Sequence, residues 1–218
     1  MEQKHIACHR LIKGNRLLLP ACHNTLRVLF LCNGSIRSGN IVLCGQAVYI
    51  PDPIQPLSLS ADSDSLILEI LQFLTDEEFQ QSRLTQYPYL LAYHDAPTYT
   101  EDCKSAKTVS RMLVPPRMIP RFAMGSVQTK GEDLVVPHCH KDIDQFFYAL
   151  PENNCIALIN QSQYPFTGNM LLHIPLGSSH GIKLEAQHTC HYLWIDYLLN
   201  NDALSYMDNA HNMQGGRP

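Results

Sequence analysis

No stretch of this sequence is both apolar and long enough to cross a bilayer as a helix, which takes about 20 such residues. Its apolar runs are short, as in TLRVLFL (25–31) and CHYLWIDYLL (190–199). The opening residues, MEQKHIACHRLIKGNRLLL, carry basic side chains but no continuous apolar core of signal-peptide length, so a cytoplasmic, reducing setting is expected. A basic stripe is missing too. The 16 Lys and Arg are scattered among 20 Asp and Glu, for a net charge of −4, so neither nucleic acid nor a membrane is an expected partner. No helix-turn-helix segment is evident. The eight cysteines do not form a framework. Cys32, Cys44 and Cys155, among others, lie inside strand-like runs, and most of the eight read as buried free thiols.

The chain does hold the material for a core. Its 218 residues, 45% of them apolar, suffice for one large domain or two small ones. Segments rich in Val, Ile, Leu, Phe and Tyr recur between Gly, Pro, Asn and Ser clusters, the rhythm of an all-β sandwich or small barrel. Thr75-Asp76-Glu77-Glu78 breaks that rhythm with capping-box spacing, and predicts a short helix starting there. The following stretch, with two prolines, reads as a linker. The expected division is therefore 1–74, a helix and linker over 75–106, and 107–218. The last residues, NNDALSYMDNAHNMQGGRP, read as a short helix and a loose end.

The halves repeat weakly. Gly131 is followed after six residues by His138-Cys139-His140, then four more, then Gln145. Gly14 is followed after six by Ala21-Cys22-His23, then four, then Val28. Each half then has a glycine turn, a strand and a Pro-initiated loop, which indicates an internal duplication.

HCHKDIDQ (138–145) resembles the first cupin motif, in which Glu follows His-x-His after a short spacer. PLGSSH, with Pro175, Gly177 and His180, resembles the second, Pro-x-Gly-x-x-His. The resemblance implies a bicupin, two tandem jelly-roll β-barrels covering nearly the whole chain. The chain departs from that pattern where Gln145 replaces the usual Glu, where the spacers after the leading glycines are one residue longer, and where Leu184 replaces a frequent Asn.

Read as residues, His138 and His140 share one strand face because side chains alternate. A turn through Lys141–Asp144 can bring Gln145 to the same cavity, and His180 would complete a set of three imidazoles. Such a set suits one divalent transition metal, Fe, Mn, Ni, Co, Cu or Zn, with positions left open. Gln145 either coordinates it or hydrogen-bonds a bound water or substrate. With Gln in place of Glu the site keeps its full dipositive charge and favours an anionic oxygen ligand. The first half has Ala21, His23, Val28 and Pro56 at the matching positions and is expected to hold no metal. It resembles the metal-free cupins of sugar-sensing regulators.

Two functions follow as expectations. One is a metal-dependent enzyme acting on a small, anionic, oxygen-rich metabolite; the other is a binding or sensing module for a sugar or organic acid. Phe147 is expected to line the pocket, with further residues from RMIPRFAMG and HTCHYLWIDY, and Arg121 to pair with a substrate carboxylate. Tyr148, His191, Tyr164 and Asp144 are the candidate acids or bases, and the expected assembly is a homodimer.

Overall fold

The computed structural model describes residues 4–210 and 212–213. The chain forms two compact units, residues 1–96 and 97–218.

The first unit contains β1 (His5–Leu11), β2 (Arg16–Leu19), β3 (Thr25–Asn33), β4 (Ser35–Ser38), β5 (Ile41–Cys44), β6 (Ala47–Ile50), β7 (Leu57–Ala61), β8 (Ser65–Phe73), α1 (Asp76–Ser82) and β9 (Tyr89–Ala92). Every strand pair is antiparallel. The larger sheet has the order β1-β8-β3-β6-β9 and the smaller β2-β7-β4-β5. Leu29, Leu31, Ile36, Tyr49, Leu59 and Ile67 form the core of this unit. Helix α1 starts where the capping box places it: the Glu78 amide donates to Thr75 Oγ1 (3.2 Å) and the Thr75 amide to the Glu78 carboxylate (2.9 Å).

The segment expected to be helix and linker, 75–106, does not behave as a linker. Pro88 and Pro97 each stand immediately before a short strand. Tyr89–Ala92 pairs with β6 in the first unit, and β10 (Thr98–Thr100) pairs with β11 (Val109–Ile119) in the second. The boundary accordingly falls between Ala96 and Pro97.

The second unit continues with β12 (Phe122–Lys130), β13 (Asp133–His138), β14 (Ile143–Ala149), β15 (Asn154–Ile159), β16 (Ser162–Thr167), β17 (Leu171–Ile174), β18 (His180–Leu184), β19 (Thr189–Leu198), α2 (Asn201–Ala210) and β20 (Asn212–Met213). Its sheets are β17-β14-β19-β12-β11-β10-β20 and β13-β18-β15-β16, again antiparallel throughout. The order β12-β19-β14-β17 repeats the β1-β8-β3-β6 of the first unit, so both units are all-β jelly rolls. Phe147, Phe166, Ile182, Tyr192 and Trp194 lie in the core between the sheets. Gly125 on β12 is opposite Trp194 on β19, where an added Cβ would sit 2.3 Å from the indole and 2.4 Å from the Arg111 carbonyl oxygen, so the ring packs on bare backbone.

Candidate metal centre

His138 and His180, on two neighbouring strands, converge with His140, two residues past the end of β13, in one cavity of the second unit. His138 ends β13 and His180 opens β18, and the two are register partners. Between Val135 and His138 the pairing shifts register, and Gly181 admits the kink: a Cβ there would come within 2.6 Å of the Val135 carbonyl. Gly177, at φ +74°, forms the turn of PLGSSH, and its amide donates to the His140 carbonyl, tying the two motifs together. Ring centroids are 5.0 Å apart for His138 and His140, 4.6 Å for His138 and His180, and 5.1 Å for His140 and His180. One ring nitrogen from each lies within 4.8 Å of the others.

The backbone sets the tautomer of two of these rings. Nδ1 of His138 is 2.8 Å from the Val136 carbonyl, and Nδ1 of His180 is 3.1 Å from the Ser178 carbonyl. A carbonyl only accepts, so each Nδ1 carries the proton and each Nε2 keeps its lone pair. Burial pushes the His180 pKa down to about 4, helped by His138 and opposed by the Ser178 carbonyl, so this ring is neutral at physiological pH. Neutral imidazoles oriented by hydrogen bonds from the far ring nitrogen are the donors a divalent transition metal takes. The donor set therefore fits such an ion.

Gln145 reaches the same cavity from the opposite sheet. The turn after His140 carries the chain from β13 in one sheet to β14 in the other. On β14, Gln145 and Phe147 face inward by the period of two, and both line the cavity. The Gln145 amide nitrogen donates to Asp196 Oδ1 at 2.7 Å, while its buried Oε1 has no hydrogen-bond partner among the described residues. Asp196 on β19 is the register partner of Gln145 and is 3% exposed. Burial raises its pKa to about 7, against the pull of the Gln145 hydrogen bond.

The cavity wall is completed by Tyr99, Glu101, Lys104 and Tyr206, which sequence reasoning did not single out, and by Tyr192 and Trp194 from the HTCHYLWIDY segment. Trp194 Nε1 donates to Tyr99 Oη at 2.9 Å. Lys104 pairs with Glu101, donates to Ser110 Oγ at 3.2 Å, and sits 5.5 Å above the Tyr99 ring. Tyr206, from α2, meets His140 at 5.0 Å between ring centroids. Trp194 and Asp196 were within reach of the sequence, since inward residues of HTCHYLWIDY alternate. Tyr99, Glu101 and Lys104 lie in the presumed linker and Tyr206 in the tail, where no periodicity marks them.

Several candidates fall elsewhere. Arg121 sits in the turn between β11 and β12 at φ +55°, its carbonyl accepting from the Leu198 amide, and is not part of the cavity wall. Tyr148 and His191 have the wrong strand phase: each lies an odd number of positions from an inward residue, Gln145 or Asp196. The Tyr148 hydroxyl donates to Asn169 Oδ1 (3.3 Å), and buried His191 pairs with Glu152. Asp144 is bonded to His173, and Tyr164 is exposed. His23, the one histidine left at the matching positions of the first half, packs near the Phe79 ring (6.1 Å).

No family model matches the sequence, and no curated protein matches it. Solved structures do match. A putative glyoxylate-induced protein from Pseudomonas aeruginosa aligns with a TM-score of 0.72 at 11% identity, over 91% of this chain and 76% of that one. An oxalate decarboxylase from Lactobacillus farciminis, in complex with formate, gives 0.69 at 11% identity, over 91% and 78%. A cupin 2 conserved barrel domain protein from Leptotrichia buccalis gives 0.57 at 15% identity, over 92% and 85%. The architecture of this chain is that of the cupin-fold proteins.

Proposed function

We propose that the second unit is a metal-dependent enzyme centre for a small, oxygen-rich, anionic metabolite, with His138, His140 and His180 holding one divalent transition ion. The observation that carries this reading is the convergence, in one cavity, of the three histidines with a buried carboxylate, Asp196. The bound ion would supply Lewis-acid polarisation of a substrate oxygen and neutralise its charge. The chain's own residues do the rest. The Val136 and Ser178 carbonyls hold two rings with Nε2 available, and Gln145 Oε1 is placed as a further donor or as a hydrogen-bond acceptor for a bound water. Asp196, with a pKa of about 7, can take or give a proton near neutrality, and Gln145 fixes its position. Phe147, Tyr192 and Trp194 give the cavity apolar walls that exclude water. The oxalate decarboxylases among the structural neighbours are named for a small acid, which agrees with the substrate class proposed here.

The test is turnover. Metal-loaded protein incubated with a panel of small hydroxy, keto and dicarboxylic acids should convert at least one of them, as read by mass spectrometry. The conversion should stop after chelation and in His180→Ala. Metal-dependent binding across the panel without any product would instead make the centre a ligand-binding site.

A further inference from the structure

The cavity wall has two kinds of part. Most of it is barrel: Val135, Gln145, Phe147, Ile182, Tyr192 and Trp194 lie on β13, β14, β18 and β19, each held in a ladder of backbone hydrogen bonds. The rest comes from the stretch 99–104 ahead of β11, and from α2 after β19, which supplies Tyr206 and Met207. The first of these is tied down by polar bonds. Trp194 donates to Tyr99, the Ser105 hydroxyl to Asp133 at 2.6 Å, and the Val136 amide to the Cys103 carbonyl at 2.9 Å. α2 is held more lightly. Ala203, Leu204 and Met207, spaced as one helix face, pack on the core, but among the described residues no side-chain hydrogen bond or ion pair joins residues 201–207 to the strands. Before the helix the Asn200 side-chain amide donates to Asp142 at 2.9 Å, and after it β20 meets β10 through the pairs Tyr99–Met213 and Thr100–Asn212.

Tyr206 is where α2 meets the site. Its ring lies edge-on to His140 at 5.0 Å and the residue is 42% exposed, so it stands between the histidines and solvent. The space inside the wall is about 30 Å³, room for about two water molecules. A metal ion with even an acetate-sized acid needs more, so part of the wall moves when a ligand enters. We propose that α2 is the gate of this centre, lifting between Asn200 and β20 with the Tyr206 ring as its latch over His140, and that both the ion and its ligand pass there. This rests on the reading of His138, His140 and His180 as a metal centre. Elements with little buried apolar contact open without unfolding the domain, and α2 is the part of the wall that meets this condition. A closed gate slows entry and exit by the same factor, the fraction of time it is open, and leaves the affinity alone.

The test is zinc kinetics on the 218-residue protein in wild type, Tyr206→Ala and Tyr206→Phe. A colorimetric chelator reads uptake by stripped protein and release from loaded protein, and elemental analysis reads the zinc content. In Tyr206→Ala, uptake and release should both be faster by about tenfold, with the dissociation constant within about threefold of wild type. Tyr206→Phe keeps the ring and should match wild type. Faster release with unchanged uptake overturns the gate, since Tyr206 would then only stabilise the bound ion, and so do unchanged rates in both directions. Hydrogen exchange on the stripped protein tests the same claim without metal. Amides of α2 should exchange at least about tenfold faster than those of β19, and equal protection overturns the gate. Protein that takes up no zinc overturns the metal-centre reading itself, and the zinc content distinguishes that failure from the others.

Discussion

Gln145 and Asp196 are register partners on β14 and β19, and the Gln145 amide donates to the Asp196 carboxylate at 2.7 Å inside the cavity. The position where the cupin motif has a carboxylate thus holds an amide, and a carboxylate stands one strand away. The consequence is a definite pH dependence. The folded pKa of Asp196, about 7, lies above its usual 3.8, so the stability it contributes is fully present below pH 4 and is lost as the pH rises through 7. A shift of that size corresponds to about 4 kcal/mol. Urea unfolding of chelator-treated wild type and Asp196→Asn at pH 5 and pH 8 should show wild type losing stability relative to the variant as the pH rises. His180 titrates in both proteins and drops out of the difference.

The same pair predicts that Gln145→Glu will not be a benign return to the motif. Two carboxylates would face each other at hydrogen-bonding distance and compete for one proton. The metal-free variant should be about 2 kcal/mol less stable than wild type at pH 8, with metal recovering more stability in the variant than in wild type. Urea midpoints with and without Zn²⁺ check this.

In the first unit Glu69 lies on the inward face of β8 with Arg27 Nε donating to it at 2.6 Å and His9 at 2.7 Å. Burial alone would raise its pKa, but His9 and Arg27 together bring it below 4.5. Its stabilisation is therefore present above the unfolded pKa and disappears as the pH falls below it. Arg27→Ala strands a buried carboxylate and should cost about 3 kcal/mol at pH 7, and less at pH 4. Denaturation at the two pH values reads the difference.

Gly125 is the floor on which Trp194 rests. In Gly125→Ala the methyl would meet both the indole and backbone, so neither a rotamer change nor a small shift of one side chain relieves it. A loss of about 2 kcal/mol is expected, with a change in Trp194 fluorescence, since Trp194 is the sole tryptophan.

The histidines and the all-β fold were legible because they are local: two motifs of fixed spacing and short alternating apolar runs. Alternation also settles the misplaced candidates. Once Gln145 faces inward, Tyr148 faces away, and the phase that carries Trp194 and Asp196 inward excludes His191. Arg121 has the right chemistry, but its turn lies outside the cavity wall. What spacing could not reveal is the contribution of distant segments. Tyr99, Glu101 and Lys104 reach the cavity because β10 joins the sheet beside β11, and Tyr206 because α2 places it against His140, long-range packing that no window of sequence encodes.

The central claim is tested most directly by metal content. The 218-residue protein loaded with excess Zn²⁺ and desalted should hold about one ion per chain by elemental analysis, as three imidazoles converging on one cavity imply. His23→Ala should leave that ratio unchanged, and the His138→Ala, His180→Ala double variant, still folded by circular dichroism, should retain almost none. One ion per chain kept by the double variant, or two held by wild type, would contradict the account.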